Sequence, residues 1–278
     1  MATATQTLPA RTAVRAAARP RRRIGSRRTL LAVLQLVTVV VLLGAWELGA
    51  RAGTVNTFLF SSPSQVVEAL ARRAASGDLL IDVRTTVTEV VLGFLVGAVG
   101  GSVLGLGLWY SRFVADYTAP FIAAIGAIPV LAIAPMTIIW FGTGLMSKVM
   151  IVGFSCVVVS LTSSYRGAQR ADKDQVDLMR SFGASTGQIF TKVVAPGAMP
   201  WIVSGLKLNV GFAVVGAIVG EYISSDAGVG HMILLGSSNF TVSLVLAGLV
   251  VVMGIVLVLT FLMNLLERLL LSWERNAS

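Results

Sequence analysis

Residues able to do covalent or metal chemistry are scarce in this chain. Its 278 residues include one histidine, His231, and one cysteine, Cys156. A zinc site needs three or four His, Cys or carboxylate ligands, and an activated nucleophile needs a base beside it. One histidine, one cysteine and scattered carboxylates supply neither set, so no catalytic residue and no metal site is expected. One cysteine also excludes an internal disulfide. What remains is the ionisable or amide group standing inside an apolar run, which is costly in a bilayer and marks function by default. Asn209 and Glu221 fit that description and are candidates for lining a translocation pathway, with Lys207 nearby. Glu221 lies near the end of its run, within reach of water. Glu47 and Glu89 also sit at run ends and read as interfacial. His231 reads as a rim loop residue, and Cys156 as a small packing residue.

The elements that carry these residues are membrane spans. Hydrophobic residues make up 55% of the chain and charged residues 13%, against about 25% charged in an average soluble domain. There is too little polar surface for a water-soluble body of this size. A span needs about 20 apolar residues, and six runs qualify: 30–49, 87–109, 117–140, 149–161, 201–222 and 242–265. The fourth is short and is extended by Ser160–Ser164. The chain is therefore expected to be an all-α membrane protein of about six transmembrane helices. Between the first two runs, Ser62-Pro63-Ser64 starts a further helix with a serine cap and an early proline. Val66, Val67, Leu70 and Ala71 form its apolar face.

The net charge of +9 is unevenly placed. Residues 1–28 carry eight arginines and no acid, and the other 250 residues are nearly neutral. The tail is read as a topology determinant. Ser26-Arg27-Arg28-Thr29-Leu30-Leu31 resembles a twin-arginine signal, but the apolar run behind it is long enough to span and further spans follow. No aromatic or folded nucleic-acid-binding element accompanies the arginines, so a nucleic-acid partner is not expected. With the tail in the cytoplasm, the inside segments hold 16 basic residues and the outside segments five. Both termini are then cytoplasmic. The domain reading is an arginine-rich cytoplasmic tail, 1–28, and one transmembrane domain, 29–278.

Glycine and proline sort the spans. Gly93, Gly97, Gly101 and Gly105 recur every four residues and fall on one helix stripe, widened by Gly100 and Gly107. Small residues at that spacing let a neighbouring backbone approach in lipid, so these glycines are helix-packing residues. Gly216 and Gly220 form a second stripe. In the third run, Pro129 and Pro135 remove backbone donors and bend the helix. Broken helices at membrane depth are tolerated where they face protein or a water-filled cavity. Pro129 and Pro135 therefore join Asn209 and Glu221 as pathway candidates.

Residues 165–200 form a long polar insert. Asp172 or Asp174 can cap a helix beginning near Gln175. Val176, Met179 and Phe182 give it an apolar edge, and Gly183 stops it. Ser185 through Gln188 fits a capping box for a second helix, which Pro196 and Pro200 end. The result is a helical hairpin projecting from the cytoplasmic side. Met179 and Phe182 at its corner are the kind of anchors that fill a partner's pocket.

The insert resembles the EAA loop of ABC-importer permeases: Glu-Ala-Ala, three residues, Gly, nine residues, Ile-x-Leu-Pro. Here Asp177-Leu178-Met179, Gly183 and Val193-Val194-Ala195-Pro196 keep the spacing with relaxed residue types. Ala127-Ile128-Pro129 to Gly142, and Gly220-Glu221-Tyr222 to Gly228-Val229-Gly230, are also close to the family's phrasing. The chain is most similar to the nitrate/sulfonate/taurine branch over about residues 55–270. The resemblance implies a permease homodimer in the bacterial cytoplasmic membrane. Two cytoplasmic ABC ATPase subunits would dock on the coupling loop through Asp177, Met179, Phe182, Gly183, Ser185 and Pro196. An extracytoplasmic solute-binding protein would deliver a small anionic solute of the sulfonate, taurine or nitrate kind. This chain carries no GxxxxGK[ST] phosphate loop; it is expected to bind no cofactor, with ATP used by the partner. A thiamine-type pyrimidine is an alternative substrate. An ion-coupled carrier is an alternative function, though such carriers usually show inverted repeats and none is visible.

Overall fold

The structure is a computed structural model and describes residues 24–271. Most of the arginine tail lies outside that range. The described residues are helical, in the order α1 (Ile24–Arg51), α2 (Thr57–Phe60), α3 (Pro63–Ala75), α4 (Asp78–Phe94), α5 (Gly100–Gly107), α6 (Arg112–Gly126), α7 (Val130–Phe141), α8 (Leu145–Gln169), α9 (Lys173–Ser181), α10 (Thr186–Ile189), α11 (Ala195–Ile223), α12 (Val229–Ser238) and α13 (Val242–Leu270). Five stretches are long and apolar enough to cross a membrane as single helices: Thr29–Arg51, Asp78–Tyr110, Leu145–Gln169, Thr186–Ile223 and Val242–Leu270. The sixth expected span is a broken pair. α6 and α7 meet at 92°, with Pro129 preceding the first residue of α7. Pro120 and Pro135, by contrast, stay inside α6 and α7. The break thus falls where a proline lacks a donor between two helices.

α8 is the axis of the bundle. It packs on α4 and α5 on one side and on α11 on the other. Its interior face is built from small residues, with Gly153, Cys156, Ser160, Ser164 and Gly167 all buried. The stripe on α4 and α5 is the other half of this fit. A Cβ at Gly97, Gly101 or Gly105 would collide with the carbonyl oxygens of Gly153, Val157 or Leu161, and one at Gly93 with the Val152 side chain. Gly100 and Gly107 meet nothing within 4 Å, so they do not widen the stripe. On α11, a Cβ at Gly216 would lie 2.6 Å from Ser155 Oγ and one at Gly220 would lie 3.0 Å from Lys148 Cγ. The order of these partners fixes direction: α8 runs parallel to α4–α5 and antiparallel to α11. The chain between α5 and α8 must therefore return to the other end of the bundle, so the bent pair α6–α7 makes one crossing.

The polar insert departs from the expected hairpin. Asp172 caps α9 with its side chain on the Asp174 N–H, and Ser185 and Gln188 form the reciprocal capping box at α10. Gly183 takes φ +77° at the corner, where the left-handed conformation favours glycine. Beyond α10, however, the helix does not end at the prolines. A π-helical segment, Phe190–Val194, leads directly into α11, with Pro196 in its first turn and Pro200 inside it. Pro196 is tolerated because a first-turn residue needs no N–H donor. The widened turn before it accommodates the change of register. The second arm of the hairpin is thus the beginning of span five.

α1 lies apart. None of its apolar window is buried. It is held near its far end, where Glu47 accepts from the Ser64 N–H at 3.0 Å and Trp46 packs with Val66, Ala69 and Met232. The apolar face of α3 is Val66 and Ala69 with Leu70; Val67 is 65% exposed, so the expected face is rotated by about one residue.

Candidate functional site

Two regions at opposite ends of the bundle carry the polar chemistry. The first is the corner around α9. Asp177, Phe182, Gly183, Ser185 and Pro196 are exposed, while Met179 is half-buried. Met179 and Val176 pack back onto Ala168, Ile189 and Val194, beside Trp109 and Phe190. Of the two expected anchors, then, Met179 faces its own bundle. Phe182, 79% exposed, and Leu178, 56% exposed, project from it. A ring stack braces the corner from below, with Tyr110 and Phe190 centroids 4.9 Å apart. Arg170 lies over Trp201 at 4.3 Å, which ties the end of α8 to α11 through a cation–π contact.

The second region is a buried polar cluster at the other end. Asp82, Thr86 and Glu89 lie along one face of α4, and each is no more than 2% exposed. Glu221 of α11 is fully buried opposite them. Its Oε1 accepts from Thr86 Oγ1 at 2.6 Å and its Oε2 from the Gly230 N–H at 2.6 Å. Asp82 accepts from the Gly228 N–H at 3.0 Å and from Arg73 Nε at 2.8 Å. Thr86 Oγ1 accepts from the Val229 N–H at 2.9 Å. Three successive donors at the start of α12 are therefore taken by three side chains from other helices. A helix N-terminus leaves such N–H groups free and favours negative charge beside them. The carboxylates supply what α12 lacks.

This geometry corrects three readings. Glu89 is not interfacial and Glu221 is not open to water; both are interior. His231 is the third residue of α12 rather than a rim loop residue, partly buried, with Nδ1 unpartnered. The residue spacing in Gly228-Val229-Gly230 has a local cause. A Cβ at Gly228 would run into the Glu221 carboxylate, and one at Gly230 would sit 2.8 Å from its Oε2.

The remaining pathway candidates are placed as follows. Asn209 is fully buried between α11 and α8, donating to Ser160 Oγ at 2.5 Å and to the Cys156 carbonyl at 3.2 Å. Its side chain faces α8. Pro129 and Pro135 are exposed. Residues adjoining the break, Ile125, Ile128, Val130 and Ile133, line a groove of about 320 Å³ with Val158 of α8 and Phe212 of α11. Spans three and five therefore do share one concave surface, but neither Asn209 nor Glu221 reaches it. Lys207 of α11 pairs with Glu267 near the end of α13 at 2.5 Å. Among the described residues no group of three or more His, Cys, Asp or Glu is placed to hold a metal ion.

This chain is similar to known transport proteins. The riboflavin transport system permease RibX of Chloroflexus aurantiacus is 31% identical over 240 residues, 86% of this chain and 90% of that protein. The taurine transport system permease TauC of Escherichia coli is 26% identical over 246 residues, 87% of this chain and 90% of that protein. Among solved structures, the inward-facing MetNI methionine ABC transporter contains a chain that matches with a TM-score of 0.63 at 18% identity, covering 71% of this chain and 98% of that one; this shows the fold. The profile of the binding-protein-dependent transport system inner membrane components matches residues 90–272. The chain belongs to that family and is a multi-pass permease subunit of the inner membrane.

Proposed function

We propose that this chain is the membrane half of an ATP-driven importer, working as a homodimer with both termini in the cytoplasm. Two separate ABC ATPase subunits dock on α9, and an extracytoplasmic binding protein delivers the solute at the opposite end. The observation that carries this reading is the α9 corner. Its polar helix presents Phe182 and Leu178 to the outside while Met179 and Val176 fix it to the bundle. A rigid base with an exposed aromatic tip is what a docking element requires. Asp177, Gly183 and Ser185 lie around that tip, and Pro196 lies behind it in the first turn of α11.

The groove at the α6–α7 break is one wall of the pathway, and the second copy supplies the other. The solute is a small sulfonate-like anion, as the name of TauC suggests. A flat heterocycle such as a flavin or pyrimidine is the second reading. It is favoured by the apolar lining of the groove, which has no cationic side chain, and by the kinship with RibX.

Reconstitution in vesicles with a partner ATPase and a solute-binding protein tests the proposal. Uptake of labelled taurine or riboflavin should require both partners and ATP. Uptake by this chain alone on an ion gradient would overturn it. A second expectation concerns Gly183→Leu. The site has open space but a positive φ, so a leucine costs about 1–2 kcal/mol there and reshapes the corner without a clash. Co-purification of the ATPase should fall while membrane insertion stays normal.

A further inference from the structure

The groove at the α6–α7 break does not end at Gly126. Gly126 and Val158 also line a second cavity, of about 370 Å³, which follows the seam between α6 and α8. Leu108 and Tyr165 of that cavity in turn line a third, of about 440 Å³, at the α9 end of the bundle. Joined through these shared residues, the cavities form one slot along α8. The stretch of α8 from Val158 to Arg166 is about 12 Å long. Its walls are Ala119, Ile122 and Ala123 of α6 and Leu161 of α8. Thr162 also lines it, but its hydroxyl already donates to the Val158 carbonyl at 2.8 Å. Polar groups resume at Tyr165 and Arg166, with Arg112, Asp116 and Gln169 at the mouth.

The charges at this end do not cancel. Arg112 stands 3.8 Å from Asp116, which offsets it. Arg170 is engaged on the other side of α8, over the Trp201 ring. Arg166 is exposed, lines the slot, and makes no ion pair or hydrogen bond among the described residues. An arginine that served only to hold this end in the cytoplasm would not need to line the slot. Apolar walls give an anion nothing to replace its hydration. A cation at the end of such a cleft has its field focused by the low-dielectric walls and decides which ions enter. We propose that this slot is the inner half of the solute path and that Arg166 is its anion-selecting residue. Its guanidinium, planar and always charged, matches the oxygens of a sulfonate, and it supplies the charge that the groove at the break lacks. The inference rests on the function proposed above and, of the two solutes named there, favours the sulfonate.

The test places a thiol in the slot with Ala123→Cys in the full-length permease, in inside-out vesicles. Cys156 is fully buried, which keeps background labelling low. Two impermeant thiol reagents of similar size are compared: the ethylsulfonate methanethiosulfonate, itself a small organic sulfonate, and its trimethylammonium-ethyl counterpart. Relative to a small thiol in solution, position 123 should prefer the anionic reagent. Arg166→Gln should lower the anion-to-cation rate ratio by about fivefold, since one charge acts with opposite sign on the two reagents, and Arg166→Lys should restore it. Salt at about 1 M, where the screening length is about 3 Å, should erase most of the preference, and this arm carries the test if Arg166→Gln does not fold. A residue needed only for insertion or stability would leave the ratio and its salt dependence unchanged. If neither reagent reaches position 123, lipid or a second copy fills the seam and the inference falls. A ratio indifferent to Arg166→Gln and to salt, or not restored by Arg166→Lys, removes the role given to Arg166. Uptake by this chain alone on an ion gradient sinks the importer reading instead, and the reagent rates still decide the slot.

Discussion

At the scale of single residues, Glu221 of α11 ties two other helices together. It bonds α4 through Thr86 and α12 through Gly230, and its carboxylate fills the space that side chains at 228 and 230 would need. Gly230→Ala should therefore unseat the start of α12. Overpacking of this kind costs about 1–3 kcal/mol, read as a lower thermal midpoint of the purified protein. Gly211→Ala on α11 is the control, because a Cβ there meets nothing within 4 Å; it should be neutral or stabilising by up to about 1 kcal/mol. Equal midpoints for the two variants would show that the carboxylate does not limit that space. The sequence displayed Glu221 and the two glycines but not their relation. Glu221 and Gly230 are nine residues apart and meet only because the chain reverses between α11 and α12. Asp82 and Thr86 come from α4, over 130 residues away, and no local pattern announces them. Their spacing with Glu89 along one helix face was readable, but a polar stripe near a span end looks the same whether it meets water or protein.

At the scale of elements, periodicity was the readable signal. The glycine ladder, the caps at Ser62, Asp172 and Ser185, and the stop at Gly183 all rest on short-range rules, and the structure shows them where the spacing put them. The extent of a helix was less readable. Pro196 and Pro200 looked like terminators, but a π-turn upstream and a first-turn position make them compatible with one continuous helix. Likewise Gly100 belongs to the glycine-rich run by sequence and not by packing. That difference gives a paired test. Gly101→Ala drives a Cβ into the Val157 backbone and to 2.9 Å from Ser160 Cβ, and backbone cannot give way. Gly100→Ala enters open space. The first should lose about 1–3 kcal/mol and much of its folded yield; the second should hold or improve, as measured by size-exclusion profile and thermal midpoint. If both alanines behave alike, α8 does not lie against that stripe.

At the scale of the whole molecule, the decisive question is how many times the chain crosses the membrane, since this sets which end meets ATP. Five single helices are long and apolar enough to cross, and the bent pair decides the parity. If α6–α7 were a re-entrant loop, α5 and α8 would begin their contact from the same end and run antiparallel. The glycine partners exclude this: Gly93 opposes Val152 and Gly105 opposes Leu161, so both numbers rise together. Small-residue packing, set by contact between backbones in lipid, thus fixes the topology of an element that it does not touch. The expected outcome is that Ser111→Cys and Thr143→Cys, at the two ends of the bent pair, label from opposite sides of the membrane. An impermeant thiol reagent applied to intact cells should reach position 143 and not 111, and the pattern should reverse in inside-out vesicles. Labelling of both from one side would make the pair re-entrant. It would also place α9 and the buried Glu221 cluster on other faces than those an importer needs.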